Sequence, residues 1–118
     1  MTNDPRISLR LHFESGLTFG RGKADLLQAI DEEGSISAAG RRMGMSYRRA
    51  WSLVEEMNLH FATPLVDSSR GGAKGGGAQL TERGRQALSD YRALEALLRD
   101  QGAGLLARLR GGQRSASA

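Results

Sequence analysis

Two amphipathic helical segments meeting at a glycine, a glycine-rich hairpin after them and a long leucine-bearing helix near the end predict a mainly α fold with a small β component. Behind an N-terminal strand, that order of elements lays out a winged helix-turn-helix. The 118-residue length and 39% apolar content suit one domain with one modest core. Residues 1–100 are expected to form that domain, the long helix included. Residues 101–118 are expected to add a short helical extension and a disordered tail.

Ile7, Leu9, Leu11 and Phe13 alternate with Ser8, Arg10 and His12, the period-two pattern of a half-buried strand, which Ser15 and Gly16 end. After the glycine-rich Gly20-Arg21-Gly22, residues 23–33 carry Leu26, Leu27 and Ile30 at helical spacing, and Gly34 supplies a stop. Ser35 then caps a short second helix whose Ile36, Ala39 and Met43 share one face, ending at Gly44. Ser46 caps a third helix. There Tyr47, Ala50, Trp51, Val54, Met57, Asn58 and Phe61 fall on one side, and Arg48, Arg49, Ser52, Glu55, Glu56 and Leu59 on the other.

Pro64 breaks the third helix and Leu65 and Val66 open a strand. Five glycines among residues 71–77, before Ala78, Gln79 and Leu80, predict a hairpin with a long, mobile tip. Thr81 caps the last long helix, on which Ala87, Leu88, Tyr91, Leu94 and Leu98 repeat at helical spacing until Gly102 and Gly104 interrupt them. The terminal GGQRSASA reads as disordered.

Composition excludes several classes of function. There is no cysteine, so disulfides, zinc fingers and thiol catalysis are ruled out. His12 and His60 stand apart without acidic companions at ligand spacing, and neither a metal nor any other cofactor is expected. No apolar run approaches the ~18 residues of a membrane span, and MTNDPR lacks a leader's apolar stretch, so a cytoplasmic protein without membrane contact is expected. Gly20-Arg21-Gly22-Lys23 is not a phosphate loop, because Leu17 stands where the first glycine belongs and Ala24 where Ser or Thr is required. With no Ser, His and carboxylate set at local spacing either, the chain is not expected to be an enzyme.

Seventeen Lys and Arg against thirteen Asp and Glu leave a net charge of +4, which suits a polyanionic partner. The placement of two arginines says more. Arg48 and Arg49 sit in the first turn of the third helix, where each cation opposes the helix dipole by ~0.3–1 kcal/mol. Double-stranded DNA offsets that cost, since arginine contacts guanine O6 and N7 or neutralises a phosphate. Arg41 and Arg42 complement the dipole at the end of the second helix and need no ligand. Trp51 is expected in the core, and Glu55 and Glu56 repel phosphates, so only the first turn or two of the third helix should enter the groove. Arg70 and Lys74, among the hairpin glycines, suit the minor groove or the adjacent backbone. The alternative, a winged-helix protein-interaction module that does not bind DNA, would place neutral or acidic residues at these positions.

The run GSISAAGRRMGMSYRRAW, followed by LVEEMN, PLV, GGAKGGGAQLT and GR, resembles the DNA-binding domain of ModE-type molybdate-responsive transcription regulators. More distantly it is similar to the N-terminal domain of LysR-type regulators, which share the Gly-Ser-hydrophobic-Ser-x-Ala-Ala pattern. The likeness covers residues 7–98. It implies that Ser46, Tyr47, Arg48 and Arg49 occupy recognition-helix positions, that Arg70 and Lys74 occupy the wing, and that the helix from Thr81 is a dimerising arm.

One departure is Gly40, where ModE-type sequences usually carry alanine; it should soften the second helix by up to ~1 kcal/mol. A larger one is that nothing here resembles the oxyanion-binding domains of that family, so molybdate binding by this chain is not expected. The initial methionine and the tail suggest a natural, short chain. The expected function is therefore a sequence-specific regulator that lacks the molybdate-sensing domains. Leu88, Tyr91, Leu94, Leu97 and Leu98 offer more apolar surface than one small domain covers. They are expected to hold a homodimer, which would read a palindromic operator.

Overall fold

The computed structural model describes residues 5–72 and 75–114. It is the expected winged helix-turn-helix, with a small hairpin in front and helices behind. The order is β1 (Arg10–His12), β2 (Thr18–Gly20), α1 (Arg21–Glu33), α2 (Ile36–Arg42), α3 (Tyr47–His60), β3 (Val66–Gly72), β4 (Gly75–Leu80), α4 (Glu82–Gln101) and α5 (Ala103–Gly112). β1 and β2 pair antiparallel, with Leu11 opposite Phe19, and β3 and β4 form a second antiparallel pair, with Val66 opposite Leu80.

Local chemistry explains most boundaries. Ser35, Ser46 and Thr81 each accept a hydrogen bond from the backbone N–H three residues on, at Ala38, Arg49 and Gly84, which satisfies one of the orphan donors of each helix start. Gly34 closes α1 at φ +76°, with its N–H on the Ile30 carbonyl. Gly44 turns the chain between α2 and α3 at φ +70°, a backbone setting that glycine adopts without the Cβ clash of other residues. Gly40 has a packing role: an added Cβ would meet the Ala50 Cβ at 3.1 Å, so its small size lets α2 and α3 approach closely.

α1 is the centre of the core. Ala24, Leu26, Leu27, Ala29 and Ile30 are buried against Phe19, Ile36, Ala39, Ala50, Val54, Met57, Leu65, Val66, Leu80 and Tyr91. Polar braces surround this core. Arg92 on α4 binds Asp25 at 2.7 Å and Gln28 at 2.9 Å on α1, and Glu95 on its own helix at 3.1 Å. Lys23 joins the Thr18 carbonyl on β2 to the Glu56 carboxylate on α3.

Several elements differ from the sequence reading. The N-terminal strand is only three residues long, and β2 stands beside it where no strand was expected. The turn between them uses Gly16 at φ +98° and returns Leu17 and Phe19 to the core. The first helix starts two residues earlier than the expected Lys23: Gly20 is the N-cap position and α1 begins at Arg21. Strand pairing in the wing runs up through the glycines to Gly72 opposite Gly75, with a register shift between Ser69 and Gly72, so the strands extend further into the glycine-rich run than expected; the rest of the expected tip lies outside the described residues. Gly111 and Gly112, read as part of a disordered tail, are the last residues of α5.

The correction with most consequence concerns the apolar stripe of α4. Tyr91 is 1% exposed; its ring stands edge-on to Phe19 at 5.4 Å, and its hydroxyl donates to the Leu9 carbonyl at 2.7 Å. It belongs to the chain's own core and is not available to a partner. Leu88 is partly buried against the same core. Leu94, Leu97 and Leu98 remain exposed, and Leu105 and Leu109 on α5 are exposed beyond them.

α4 starts close to the base of the wing. A Cβ on Gly84 would run into the Leu65 carbonyl oxygen, a backbone atom that cannot swing aside. Gly84→Ala should therefore destabilise the domain by about 1–3 kcal/mol, despite alanine's higher helix propensity. Urea unfolding checks this, and a more stable variant would contradict the close approach.

Candidate nucleic-acid interface

α3 turns Ala50, Val54 and Met57 into the core. The helical period places Arg48, Ser52, Glu55 and Leu59 in one row directly opposite that buried stripe. All four are exposed, Leu59 at 81%. Arg49 is exposed a quarter turn to one side, on the flank where Glu56 meets Lys23 at 3.1 Å. On the other flank Tyr47 is exposed and stands edge-on to Trp51 at 6.1 Å, while Trp51 packs partly against the core as expected. Tyr47, Arg48, Trp51, Ser52 and Glu55 together line a shallow concavity.

The cations divide into two groups. Arg42 binds Glu32 at 2.7 Å and Glu33 at 3.3 Å, tying the end of α2 to the end of α1. Its hydrogen bond holds the Glu32 carboxyl below the usual carboxylate range, and the same bond raises Arg42. Arg41 donates to the Ser37 hydroxyl one turn back, at 3.0 Å. Arg48 and Arg49, by contrast, have no side-chain hydrogen bond or ion pair among the described residues. Ser46 uses its oxygen as an acceptor for the cap, which leaves its hydroxyl proton to donate outward.

Thus Ser46, Tyr47, Arg48 and Arg49 come together at the exposed start of α3. Arg70 lies on β3, but its side chain falls outside what is described, and Lys74 lies outside the described residues altogether.

A residue that the sequence reading placed only on the apolar side of α3 organises this region. The Asn58 carboxamide oxygen accepts from the Leu65 N–H at 2.8 Å and the Val66 N–H at 3.1 Å, and its amide nitrogen donates to the Val66 carbonyl at 3.1 Å. One side chain thereby fastens the base of the wing to α3. The signal was present in the sequence as a polar amide inside an apolar row, because a half-buried amide needs partners.

Two helices crossing at a glycine turn, with a hairpin fixed to the second, define a winged helix-turn-helix domain with its second helix exposed. The chain belongs to the bacterial regulatory helix-turn-helix proteins of the lysR family, whose model matches residues 23–85. It is 45% identical over 82 residues to the molybdenum-pterin-binding protein MopB of Rhodobacter capsulatus, a match covering 70% of this chain and 30% of that protein. It is 40% identical over 87 residues to the molybdenum transport protein ModE of Azotobacter vinelandii, covering 74% of this chain and 32% of that one. The ModE-type resemblance drawn from the SYRRAW run and the wing is borne out, and the chain spans about a third of the length of these relatives. In fold it is similar to the CbnR DNA-binding domain, solved as a DNA complex. That match has a TM-score of 0.55 and 22% identity, over 79% of this chain and 97% of that one.

Removing the Asn58 amide leaves two backbone N–H groups without their acceptor, at a cost of about 1–3 kcal/mol each where water does not replace it. Asn58→Ala should lower stability by about 2 kcal/mol or more, the two costs together. Hydrogen exchange should show faster amide exchange at Leu65 and Val66 and little change in α1. Unchanged protection at both amides would contradict the clamp.

Proposed function

We propose that this chain binds duplex DNA in a sequence-specific manner as a transcription regulator, with the start of α3 in the major groove and the wing on the flanking backbone. The observation that carries this reading is the pair Arg48 and Arg49. Both are exposed, neither has an internal partner among the described residues, and both stand in a first turn that contains no acidic residue to balance them. Each opposes the dipole of α3 in the free protein, and a phosphate or a guanine edge reverses the sign of that interaction. A protein-interaction module would have no such need for cations there. A cytoplasmic site of action goes with this reading, and it assigns molybdate binding to no part of this chain.

Affinity for duplex DNA should fall steeply with rising salt as bound counterions are released. Arg48→Ala or Arg49→Ala should reduce the preference for the operator over random DNA, by about 1–3 kcal/mol where the arginine is bidentate to guanine. Lys74→Ala should weaken both complexes alike. Competition titrations at several salt concentrations check all of this. Failure to bind any duplex in low salt after selection from a random pool would sink the reading.

The same reading includes a two-fold homodimer on a palindromic operator. Leu94, Leu97 and Leu98 support it, since they are exposed at helical spacing on α4, and Leu105 and Leu109 on α5 are exposed as well. Burial of such apolar surface contributes roughly 25 cal/mol per Å². Two-fold symmetry then sets two α3 helices on half-sites about one DNA turn, or a multiple of it, apart. Leu94→Glu with Leu98→Glu should yield a folded monomer in sedimentation, with much weaker operator binding. A wild-type chain that sediments as a monomer at all accessible concentrations overturns the dimer.

A further inference from the structure

Two adjacent glutamates on α3 have different surroundings. Glu56 is turned to the flank and held by Lys23 at 3.1 Å, so an internal partner accounts for it. Glu55 has no ion pair or side-chain hydrogen bond among the described residues, and it shares the outermost row of α3 with Arg48 and Ser52. A bare carboxylate on the face that meets a polyanion repels phosphate. It becomes favourable only where a hydrogen-bond donor is presented to it. In the major groove the donors are the amino groups of cytosine and adenine, and adenine sets the N7 acceptor beside its donor.

We propose that Glu55 is a specificity-determining residue, its carboxylate accepting a hydrogen bond from a cytosine N4 amino group. The inference rests on the DNA-binding reading above and deepens it. Seven residues, or two helical turns, separate Glu55 from Arg48 by about 10 Å along α3, and side chains one turn apart on a helix in the major groove reach successive base pairs. A C·G pair is therefore specified about two steps from the pair that Arg48 contacts in each half-site. Glu55 also acts against other bases, since the O6 and N7 of guanine and the O4 of thymine are acceptors that face a carboxylate with repulsion. Ser52, between the two in the row, can donate or accept and tolerates more than one base. The groove contact then extends to the third turn of α3, further than the first turn or two expected from the sequence.

The test is selection of bound duplexes from a random pool with the wild type, Arg48→Ala, Glu55→Ala and Glu55→Gln. Glu55 is exposed and has no partner among the described residues, so melting temperatures should match the wild type. The wild-type motif should contain an invariant cytosine about two positions from the guanine whose preference Arg48→Ala removes. Glu55→Ala should make that cytosine position degenerate, with about a tenfold loss of discrimination and the rest of the motif intact. Glu55→Gln should move the preference to adenine, whose N6 and N7 a carboxamide engages as a pair. An unchanged motif in Glu55→Ala overturns the proposal. So does tighter binding of Glu55→Ala to every duplex alike, which identifies Glu55 as a source of phosphate repulsion only. A wild type that enriches no sequence overturns the DNA-binding reading itself, and is distinct from either of those results.

Discussion

The peptide groups of one buried residue, Leu65, hold the working parts of this domain in register. Its N–H is bound by Asn58 from α3, its carbonyl accepts the Thr81 N–H at 2.9 Å, and the same carbonyl is what Gly84 must approach without a side chain. The end of α3, the first residue before β3 and the start of α4 therefore meet at a single point. The Leu65 side chain is fully buried, so the point cannot move without opening the core. A domain of this size has few spare kcal/mol, and unpaired buried amides there cost a large part of its stability. The angle between α3 and the wing is consequently a property of the core and not of the exposed loops.

The distribution of charge follows the same division. Lys23, Arg42, Arg85 and Arg92 each meet a carboxylate on another element: Glu56, Glu32 with Glu33, Asp31 and Asp25 respectively. All four carboxylate sets involve α1 or, for Lys23, start from it. These pairs are mostly solvent-exposed and weak one by one, but they align α2, α3 and α4 around the central helix. The cations at the start of α3 are left out of this arrangement. A surface whose charges are not used to orient helices is free to be used on a ligand.

What the residues disclosed before the structure was known follows the range of the interactions concerned. Ser35, Ser46 and Thr81 were legible as caps because a cap is satisfied within three residues, and Gly34 and Gly44 were legible as stops because their conformation is local. The exposed face of α3 was legible for the same reason, since helical period alone sets Arg48 against Ala50 and Val54. β2 was not, because three residues are too few to establish a period, and its partner lies across a turn at Gly16. Tyr91 was misassigned to the outer stripe: its hydroxyl partner is Leu9, 82 residues away in sequence, and nothing in the spacing of α4 reveals it. Asn58 and Glu56 belong with Tyr91. Their residue types were plain, but their partners at Leu65, Val66 and Lys23 come from the tertiary fold.

α4 shows how one helix serves two surfaces. Ala87, Leu88 and Tyr91 face α1 and the first hairpin, and the Arg92 brace to Asp25 and Gln28 marks the last firm attachment to α1. Twenty residues span about 30 Å, so the remaining turns extend past the core they have been packing against. In those turns the chain covers the apolar positions only in part: Leu94 still lines a cleft with Leu11, Phe13 and Phe61, yet it is exposed together with Leu97 and Leu98, while Leu88 is packed against the core. Amphipathic period by itself does not distinguish the two halves, because both repeat leucine at the same spacing. The length of the helix relative to its support does. Under the proposed dimer, the inner half fixes the direction of α4 through the Leu65 junction, and the outer half meets the second copy. The separation of the two α3 helices is then determined by the same close contact that positions the wing, so half-site spacing and groove register are set together by the core.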